Sequence, residues 1–310
     1  MILVAGSSNL DFVVRASRIP RPGETVLGEG FRTFPGGKGA NQAVACARAG
    51  GAVTHLLTAL GADAFAQPIE TSLHDAQVQL HVIRSDSEPT GCAFICVSSD
   101  GENAISVAPG ANATLLPGHL PPLSGFSHLL LQLETPLSTV LAYAQAARSQ
   151  GLSVVLNAAP AQSLPADLLE KVDILVVNEG ELAAVTRHEG SIAQCLERIQ
   201  VPIIVVTLGA KGCCARGPDQ LFFQPAYAVK PVDTTAAGDT FCGVLVAALS
   251  RGADLAQALR TASAAGAVAC TIQGAQSSIP RSSDVMDFLA QQVADIAEST
   301  RTLRAFCGFP

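Results

Sequence analysis

The sequence predicts an α/β fold, with a mainly parallel central sheet flanked by helices and a small second, antiparallel sheet. Short apolar runs recur along the chain, and Ala-rich stretches with helical spacing lie between several of them. Two further segments alternate apolar and polar residues instead. Strands that alternate with helices form right-handed βαβ units, and the parallel sheet that results is covered on both faces.

The predicted strands of the central sheet are short and almost wholly apolar, as strands buried on both faces are. The first is Ile2–Ala5, and the Gly-Ser-Ser-Asn sequence after it predicts a loop. The later predicted strands are residues 53–59, His128–Leu131, 154–156, 174–177 and Ile203–Thr207.

The predicted helices occupy the Ala-rich stretches between these strands. They include residues 42–49, Leu137–Ser149 and 191–199. After Gly238 the chain is predicted to be almost entirely helical, at residues 240–250, 255–271 and 284–296.

Two segments interrupt this alternation of strands and helices. Residues 12–34 alternate in polarity around a turn with two prolines and a glycine, and residues 90–107 predict two strands joined by Ser99-Asp100-Gly101-Glu102. We expect the insertions, at about residues 11–34 and 90–107, to form the second sheet and to cover a site as a lid that excludes water. From the pattern alone, the two segments could also be surface hairpins that have no function. Residues 1–310 are then one α/β domain that carries this lid.

Composition excludes several classes of protein. Of 310 residues, 48% are apolar and only 15% charged, so the chain can bury a large core and is not disordered. The net charge of −7 and the scattered basic residues argue against nucleic acid as a partner. The apolar stretches are shorter than the roughly 20 residues that span a membrane. Since the N-terminal sequence also lacks the features of a signal peptide, we expect a cytoplasmic protein.

Cysteine and histidine spacing predicts neither disulfides nor a zinc site. The nine cysteines are an odd number and form no C-x-x-C pair, and the six histidines form no H-x-x-x-H pattern. Reduced, structural cysteines are therefore expected.

The first of three Gly-rich motifs is Pro35-Gly36-Gly37-Lys38-Gly39-Ala40-Asn41, which leads into a predicted helix. Lys38 is followed by Gly39, so the motif is not a P-loop, and Gln42 takes the place of the last glycine of a dinucleotide fingerprint. A bare backbone beside Lys38 and Asn41 at a helix N-terminus suits a hydroxylated or anionic ligand. An ordinary strand-to-helix turn fits this motif equally well.

The second motif, Asp233-Thr234-Thr235-Ala236-Ala237-Gly238-Asp239, opens the helix predicted at residues 240–250. Small residues at a helix start leave backbone N–H groups available as an anion hole for a phosphoryl group in transfer. Asp239 beside that hole is a candidate general base, and helix capping is the alternative role for it.

The third motif, Thr207-Leu208-Gly209-Ala210-Lys211-Gly212, follows the strand Ile203–Thr207. Gly-rich loops at the carboxyl edge of an α/β sheet are where nucleotides bind. A plain β-turn is the alternative.

Taken in order, the motifs resemble the ribokinase-like carbohydrate kinase family, from about Leu3 to about Pro280. The matching segments are residues 6–11, 22–25, 36–41, 132–136, 178–181, 207–212 and 233–239. The resemblance implies a kinase that transfers the γ-phosphoryl group of ATP to the 5-hydroxyl of a free pentose, D-ribose. Asp239 would be the general base, and Ala236, Ala237 and Gly238 would supply the amides of the anion hole.

The resemblance also implies the ligands of each substrate. The sugar would be held by Asn9, Asp11, Gly37, Lys38, Asn41 and Glu134, together with Asp239. ATP would be held by Asn178, Thr207, Gly209, Gly212, Gly238 and Ser263. Ser263 stands where members of the family often carry a larger polar residue beside the adenine.

Two metals and a dimer are implied in the same way. Asn178 and Glu181 would belong to the Mg²⁺ and phosphate water network. An activating K⁺ would be held at Asp233, Thr235, Ala269, Ile272, Gly274 and Ser278, mostly by backbone oxygens. A homodimer through the lid is expected, because exposed sheet edges need covering.

Other functions stay open at this point. A related kinase could act on deoxyribose, on another sugar or on a nucleoside, and a nucleoside would need an apolar wall from lid residues such as Phe94 or Ile105. A sugar-binding regulator without catalysis is a more distant alternative, since a pure binding protein needs no general base.

Overall fold

The computed structural model describes residues 1–99, 102–292 and 297–310. Thirteen strands of these residues form two sheets. The strands are β1 (Ile2–Ala5), β2 (Asn9–Ala16), β3 (Gly28–Gly36), β4 (Thr54–Gly61), β5 (Gln79–Ser85), β6 (Gly91–Val97), β7 (Asn103–Ala108), β8 (His128–Leu131), β9 (Ser153–Asn157), β10 (Ile174–Asn178), β11 (Ile203–Thr207), β12 (Gly212–Arg216) and β13 (Leu221–Pro225).

The central sheet has the order β13-β12-β11-β10-β9-β8-β1-β4-β5. It is parallel from β5 to β11, and β12 and β13 extend it in antiparallel fashion. The predicted mainly parallel sheet is confirmed, and each of its six predicted strands is present. Strands β5, β12 and β13 were not predicted, because they lie toward the sheet edges and mix polar with apolar residues.

In the described part of the chain, ten α-helices cover the two faces of this sheet. They are α1 (Lys38–Val44), α2 (Ala66–Asp75), α3 (Leu137–Ser149), α4 (Ala166–Leu169), α5 (Glu179–Thr186), α6 (Ile192–Leu196), α7 (Ala237–Ser250), α8 (Leu255–Ala269), α9 (Ser282–Ala290) and α10 (Ala297–Phe306).

Alternation along each buried strand divides the core into two layers. Ile2 and Val4 pack with α1, α2, α7, α8 and α9, whereas Leu3 and Ala5 face α3, α4, α5, α6 and α10. All four side chains of β1 are at most 2% exposed. The sheet is therefore covered on both faces, as its apolar strands predict.

Several helix boundaries differ from the predicted ones; α7 begins at Ala237 rather than at residue 240, α6 is shorter than residues 191–199, and α8 ends at Ala269 rather than at residue 271. The first helix begins at Lys38 rather than at residue 42, and α1 continues into a π-helical turn, Ala45–Ala49. It begins there because Gly37 has φ +88°, and a Cβ on Gly37 would lie 2.8 Å from the backbone nitrogen of Asn9. The last predicted helix, residues 284–296, is observed as α9, and residues 293–296 lie outside the described part of the chain.

The second sheet, which we call the lid, has the order β3-β2-β6-β7. Two antiparallel pairs, β2 with β3 and β6 with β7, are joined by a parallel pairing of β2 with β6. Strands β2 and β3 extend the first insertion to residues 9–36. Residues 100 and 101 of the predicted hairpin turn lie outside the described residues.

The register of the lid separates its side chains into two faces. Asp11 is paired with Ala93, which is paired with Val107, and Ile105 lies on this same face. Phe12 is paired with Phe94 on the opposite face. Of the two lid residues named as a wall for a base, only Ile105 shares the face of Asp11.

Three further features concern the cysteines, the helix lengths and the metal-ligating side chains. All nine cysteines lie in described segments and are free. Among the described residues, no helix combines the length and apolar character needed to cross a membrane. In the same residues, no three or more His, Cys, Asp or Glu side chains cluster as a metal site.

Candidate active site

The carboxyl ends of the parallel strands meet at one edge of the central sheet, and most of the candidate residues lie along it. Strand β1 runs into Ser7 and β8 runs into Gln132, and these two strands are neighbours although the chain leaves them in opposite directions. A crevice forms at such a reversal of strand order, where ligands bind in open α/β sheets. The helices α1 and α7 begin at this same edge.

Asp239 lies in the first turn of α7, and its carboxylate does not cap the helix. The residue before the helix, Ala236, adopts the left-handed conformation with φ 58°, and the helix has no side-chain cap. Asn41 Nδ2 donates to Asp239 Oδ2 over 2.9 Å, and Gln42 Nε2 donates to Asp239 Oδ1 over 2.9 Å. Both carboxylate oxygens are thus held by amides of α1.

Asn41 carries a buried polar atom without a partner. Its Oδ1 is inaccessible to solvent and accepts no hydrogen bond from any described residue, whereas its Nδ2 is committed to Asp239. A buried carbonyl oxygen without a donor is unfavourable unless a ligand supplies one. A sugar hydroxyl beside Asp239 would supply that donor, so this atom fits the predicted sugar site.

Glu134 and Lys38 form a second part of this site, and the charge of Lys38 interacts with those of Asp239 and Glu134. Ser7 Oγ donates to Glu134 Oε2 over 2.5 Å, and the backbone N–H of Lys38 donates to the same oxygen over 3.1 Å. These contacts join the loop after β1, the loop after β8 and the start of α1. Glu134 was predicted as a sugar ligand, whereas Ser7 was not predicted to have a role.

Charges in this crevice influence one another strongly. Burial, reinforced by the carboxylates of Glu134 and Asp239, raises the pKa of Asp11 to about 7, although Lys38 opposes the rise. Burial acts to lower the pKa of Lys38, but Asp239, Glu134 and Glu181 outweigh it and the pKa is raised. Lys38 therefore stays a cation among acidic groups, and Asp11 is poised between its two protonation states.

Asn9 is held by a residue that the sequence did not point out. Its Oδ1 accepts from Asn112 Nδ2 over 2.8 Å, and Asn112 also binds both backbone groups of Ser8. Asn112 lies just after the lid strand β7, in the 3₁₀ turn Gly110–Thr114. A lone asparagine after a strand carries no local signal, so only its position in the fold identifies it.

In the backbone before Asp239, where the anion hole is predicted, one of the three amides already has a partner. The amide of Ala237 donates to the carbonyl of Thr234 over 3.2 Å. Gly238 lies in open space, since no described atom outside its own helix turn lies within 4 Å of where a Cβ would stand. A ligand oxygen can therefore approach the backbone at Gly238.

Asn178 and Glu181 form a reciprocal cap at the start of α5. The backbone N–H of Asn178 donates to Glu181 Oε2, and the N–H of Glu181 donates to Asn178 Oδ1, each over 2.8 Å. Burial raises the pKa of Glu181, with the hydrogen bond from Asn178 and the charge of Lys38 opposing the rise. These contacts give the pair a structural role as well as a place beside Lys38.

The remaining nucleotide candidates lie farther along the same edge. Thr207 is paired with Asn178 across β10 and β11. Gly209 is open, whereas a Cβ on Gly212 would lie 2.1 Å from the carbonyl oxygen of Gln224, so packing alone demands a glycine there. Ser263 lies on α8, where its Oγ is 3.7 Å from Cys213 Sγ.

The residues predicted to hold a monovalent cation come from two loops that the structure brings together. Asp233 Oδ1 accepts from the N–H of Thr235 and Oδ2 accepts from the N–H of Gly274, over 2.9 and 3.0 Å. Burial acts to raise the pKa of Asp233, but these hydrogen bonds lower it overall. Backbone N–H groups of the two loops thus hold both carboxylate oxygens, and the lone pairs that remain on these oxygens suit a hard cation. Ala269 ends α8, Ile272 follows it, and Ser278 is fully buried in the second loop.

Comparison with known proteins shows which proteins this chain is similar to. The sequence model of a family described as "pfkB family carbohydrate kinase" matches residues 1–282. A ribokinase of Haemophilus influenzae is 37% identical over 300 residues, which cover 93% of this chain and 98% of that protein. A deoxyribokinase of Salmonella typhi is 32% identical, with 93% and 98% covered. The structure of Arabidopsis thaliana ribokinase complexed with ribose and ATP superposes with a TM-score of 0.85 at 32% identity, covering 94% of this chain and 99% of that one.

Proposed function

The chain belongs to the pfkB family of carbohydrate kinases, and from that premise we propose that it transfers the γ-phosphoryl group of ATP to the 5-hydroxyl of D-ribose. It is an ATP-dependent kinase by its family and by its ribokinase relatives. The observation that carries the proposal is the carboxylate of Asp239, held by two amides at the open N-terminus of α7 beside an unpartnered buried oxygen of Asn41.

The sugar occupies the crevice between the lid and α1. Its hydroxyls donate to the carboxylates of Asp11 and Glu134 and to Asn41 Oδ1, while Lys38 and Asn9 complete the ring of polar groups. The missing Cβ at Gly37 lets the loop after β1, with Asn9, lie close against the start of α1. Acceptor-rich carboxylate and amide groups match vicinal hydroxyls well.

The reaction is a direct transfer between two oxygens. Asp239 accepts the proton of the 5-hydroxyl, whose oxygen forms a bond to the γ-phosphorus as the bond to the bridging oxygen of ADP breaks. Of the three predicted amides, those of Ala236 and Gly238 stabilise the charge that develops on the transferred group, whereas the amide of Ala237 donates to the carbonyl of Thr234. ATP lies along Asn178, Thr207, Gly209 and Gly212, with Ser263 near its base.

Two cations accompany these residues in the proposal. A kinase of this family uses a divalent metal with ATP; we take it to be Mg²⁺, which would sit with Asn178 and Glu181 beside the phosphates and neutralise their charge. K⁺ would be held by the loops that contain Asp233 and Gly274, and it would order the backbone before Gly238. Equal initial rates in K⁺ and in a large organic cation, at matched ionic strength, would contradict that activation.

The proposal also covers the lid, the oligomeric state and the place of action. Residues 1–310 form one α/β kinase domain, whose lid closes over the sugar and excludes water. The lid face opposite Asp11 exposes apolar rings: Phe31 is 64% and Phe94 55% exposed, and both stack on Phe12. A second copy of the chain would cover this face in a homodimer. The place of action is the cytoplasm, without nucleic acid or membrane as partner.

A kinase for deoxyribose is the second candidate, because a deoxyribokinase is almost as similar to this chain as the ribokinases are. ADP release from Mg-ATP in K⁺ buffer, measured across pentoses, 2-deoxy-D-ribose, hexoses and nucleosides, separates the two. The highest kcat/KM with D-ribose supports the proposal. A preference for 2-deoxy-D-ribose, another sugar or a nucleoside reassigns the acceptor, and no turnover with any of them favours a sugar-binding regulator.

The substitution Asp239→Asn tests the mechanism. The variant should bind D-ribose as the wild type does and lose turnover by roughly 10²- to 10⁴-fold, the usual contribution of a general base. Binding is measured by calorimetry and turnover by ADP release. Activity near that of the wild type would exclude Asp239 as the base.

A further inference from the structure

Behind Asp239 lies a chain of buried amide side chains that the proposed reaction does not yet use. Gln42 and Gln132 are fully buried, and Asn157 is 8% exposed. Gln42 Nε2 donates to Asp239 Oδ1 over 2.9 Å and to Asn157 Oδ1 over 3.0 Å, and Gln132 Nε2 donates to Gln42 Oε1 over 2.6 Å. The chain therefore joins α1, α7 and the ends of β8 and β9.

The carboxylate determines the orientation of every amide in this chain. Ionised Asp239 can only accept, so Gln42 must turn its NH₂ group toward it, and both N–H bonds of that group are then used. The carbonyl of Gln42 must face Gln132, which donates to it with its own NH₂ group. Asn157 Nδ2 in turn donates to the carbonyl of Val176 over 3.2 Å. Gln42 thus has one arrangement, set by three hydrogen bonds.

This arrangement lowers the free energy of unfolding, because one of its buried polar atoms has no hydrogen-bond partner among the described residues. Gln132 Oε1 is buried and has no partner among the described residues, and it lies so close to Gly6 that a Cβ there would stand 1.9 Å from it. Buried amides without a full set of partners are less favourable than apolar side chains of the same shape. One buried amide, Gln42, donates to the carboxylate of Asp239, and two further buried amides fix the orientation of Gln42, an arrangement that fits a role in catalysis.

We propose that Gln42, supported by Gln132, is a positioning residue for the general base: it turns the carboxylate of Asp239 toward the acceptor hydroxyl and stabilises its ionised form. This inference rests on the proposed role of Asp239. Asn41 holds the other carboxylate oxygen from the sugar side, so the base is clamped between one amide that faces the ligand and one that faces the core.

Gln42→Met tests the proposal, because it keeps the length of the side chain and removes the donors. We expect kcat to fall roughly 10- to 100-fold, as small misplacements of reacting groups do, while the KM of sugar and of ATP changes less than about threefold. The acid limb of the pH profile of kcat should move to higher pH, since a hydrogen bond to the charged carboxylate is lost.

The substitution leaves the charged surroundings of Asp239 intact. The titratable groups that interact with Asp239 are Asp11 on β2, Lys38 on α1, Glu181 on α5 and Cys242 on α7. None of them is changed by Gln42→Met, so a moved acid limb would report the lost amide. Gln132→Met should shift kcat in the same direction by a smaller factor, because Gln42 keeps two of its three bonds.

Thr54→Val is the matched control, since it removes a buried side-chain hydrogen bond, to Ala52, at the opposite edge of the sheet. It should lower thermal stability and leave kcat and its pH profile unchanged. A Gln42→Met enzyme with wild-type kcat and pH profile overturns the proposal, and if that variant does not fold, Gln132→Met decides it in the same way. An active Asp239→Asn enzyme would instead refute the proposed base, whatever the Gln42 variant does.

Discussion

Substitution of Asp11 tests how much a buried carboxylate of the candidate site lowers the free energy of unfolding. Burial, together with the charges of Glu134 and Asp239, raises the pKa of Asp11 from 3.8 to about 7. The folded protein therefore binds this proton more tightly than the unfolded chain does. Stability from this group is fully present below the pKa of the unfolded chain, near 4, and is lost as pH rises toward 7.

The size of the effect follows from the same shift. A difference of about three pKa units corresponds to about 4 kcal/mol in the free energy of unfolding. Asp11→Asn removes the charge and keeps the shape. At pH 8 and without sugar, we expect the variant to be more stable than the wild type by up to about 4 kcal/mol, and the two should converge near pH 4.

Urea unfolding followed by far-UV circular dichroism at pH 4.5, 6 and 8 measures this difference; the chain contains no tryptophan to serve as a fluorescent probe. Asp219→Asn, at an exposed turn, is the control for removing a carboxylate elsewhere. A stability difference between Asp11→Asn and the wild type that does not change between pH 4.5 and 8 would refute the reasoning.

The same carboxylate links sugar binding to pH. If hydroxyls of the sugar donate to ionised Asp11, binding near pH 7 must release a proton from the wild type and none from Asp11→Asn. Calorimetry in two buffers of different ionisation enthalpy detects that release. Affinity for D-ribose should rise with pH through about 7 in the wild type only. Sugar binding without proton release would show that the sugar does not donate hydrogen bonds to ionised Asp11.

Three further substitutions test the backbone and the lid. Gly37→Ala should destabilise the fold by about 2 to 4 kcal/mol, measured by urea unfolding, because φ +88° and the contact with Asn9 exclude a Cβ. Gly238→Ala should leave that stability within about 1 kcal/mol of wild type yet lower kcat, since its methyl group fills the anion cradle. Phe94→Asp should convert a dimer to a monomer in sedimentation velocity; an unchanged mass would place the dimer contact elsewhere.

The mainly parallel character of the central sheet and six of its nine strands could be predicted because their signals are local. An apolar run such as Ile203–Thr207 predicts a buried strand, and the Gly-rich sequence after it predicts a loop, wherever they stand in the chain. The edge strand β5 and the hairpin of β12 and β13 escaped prediction, because half-buried strands mix polar and apolar residues. The parallel pairing of β2 with β6 also escaped prediction, since no local pattern states which hairpin lies beside which.

The sequence by itself determined the fold class, the two lid insertions and the motifs in which Asp239, Asn41 and Lys38 stand. Only the tertiary structure decided the surroundings of these side chains. The hydrogen bonds from Asn41 and Gln42 to Asp239 span 198 and 197 residues, and Asn112 reaches Asn9 across 103. Hydrogen-bond partners, burial and pKa depend on atoms brought together by packing, and no local stretch of sequence contains that information.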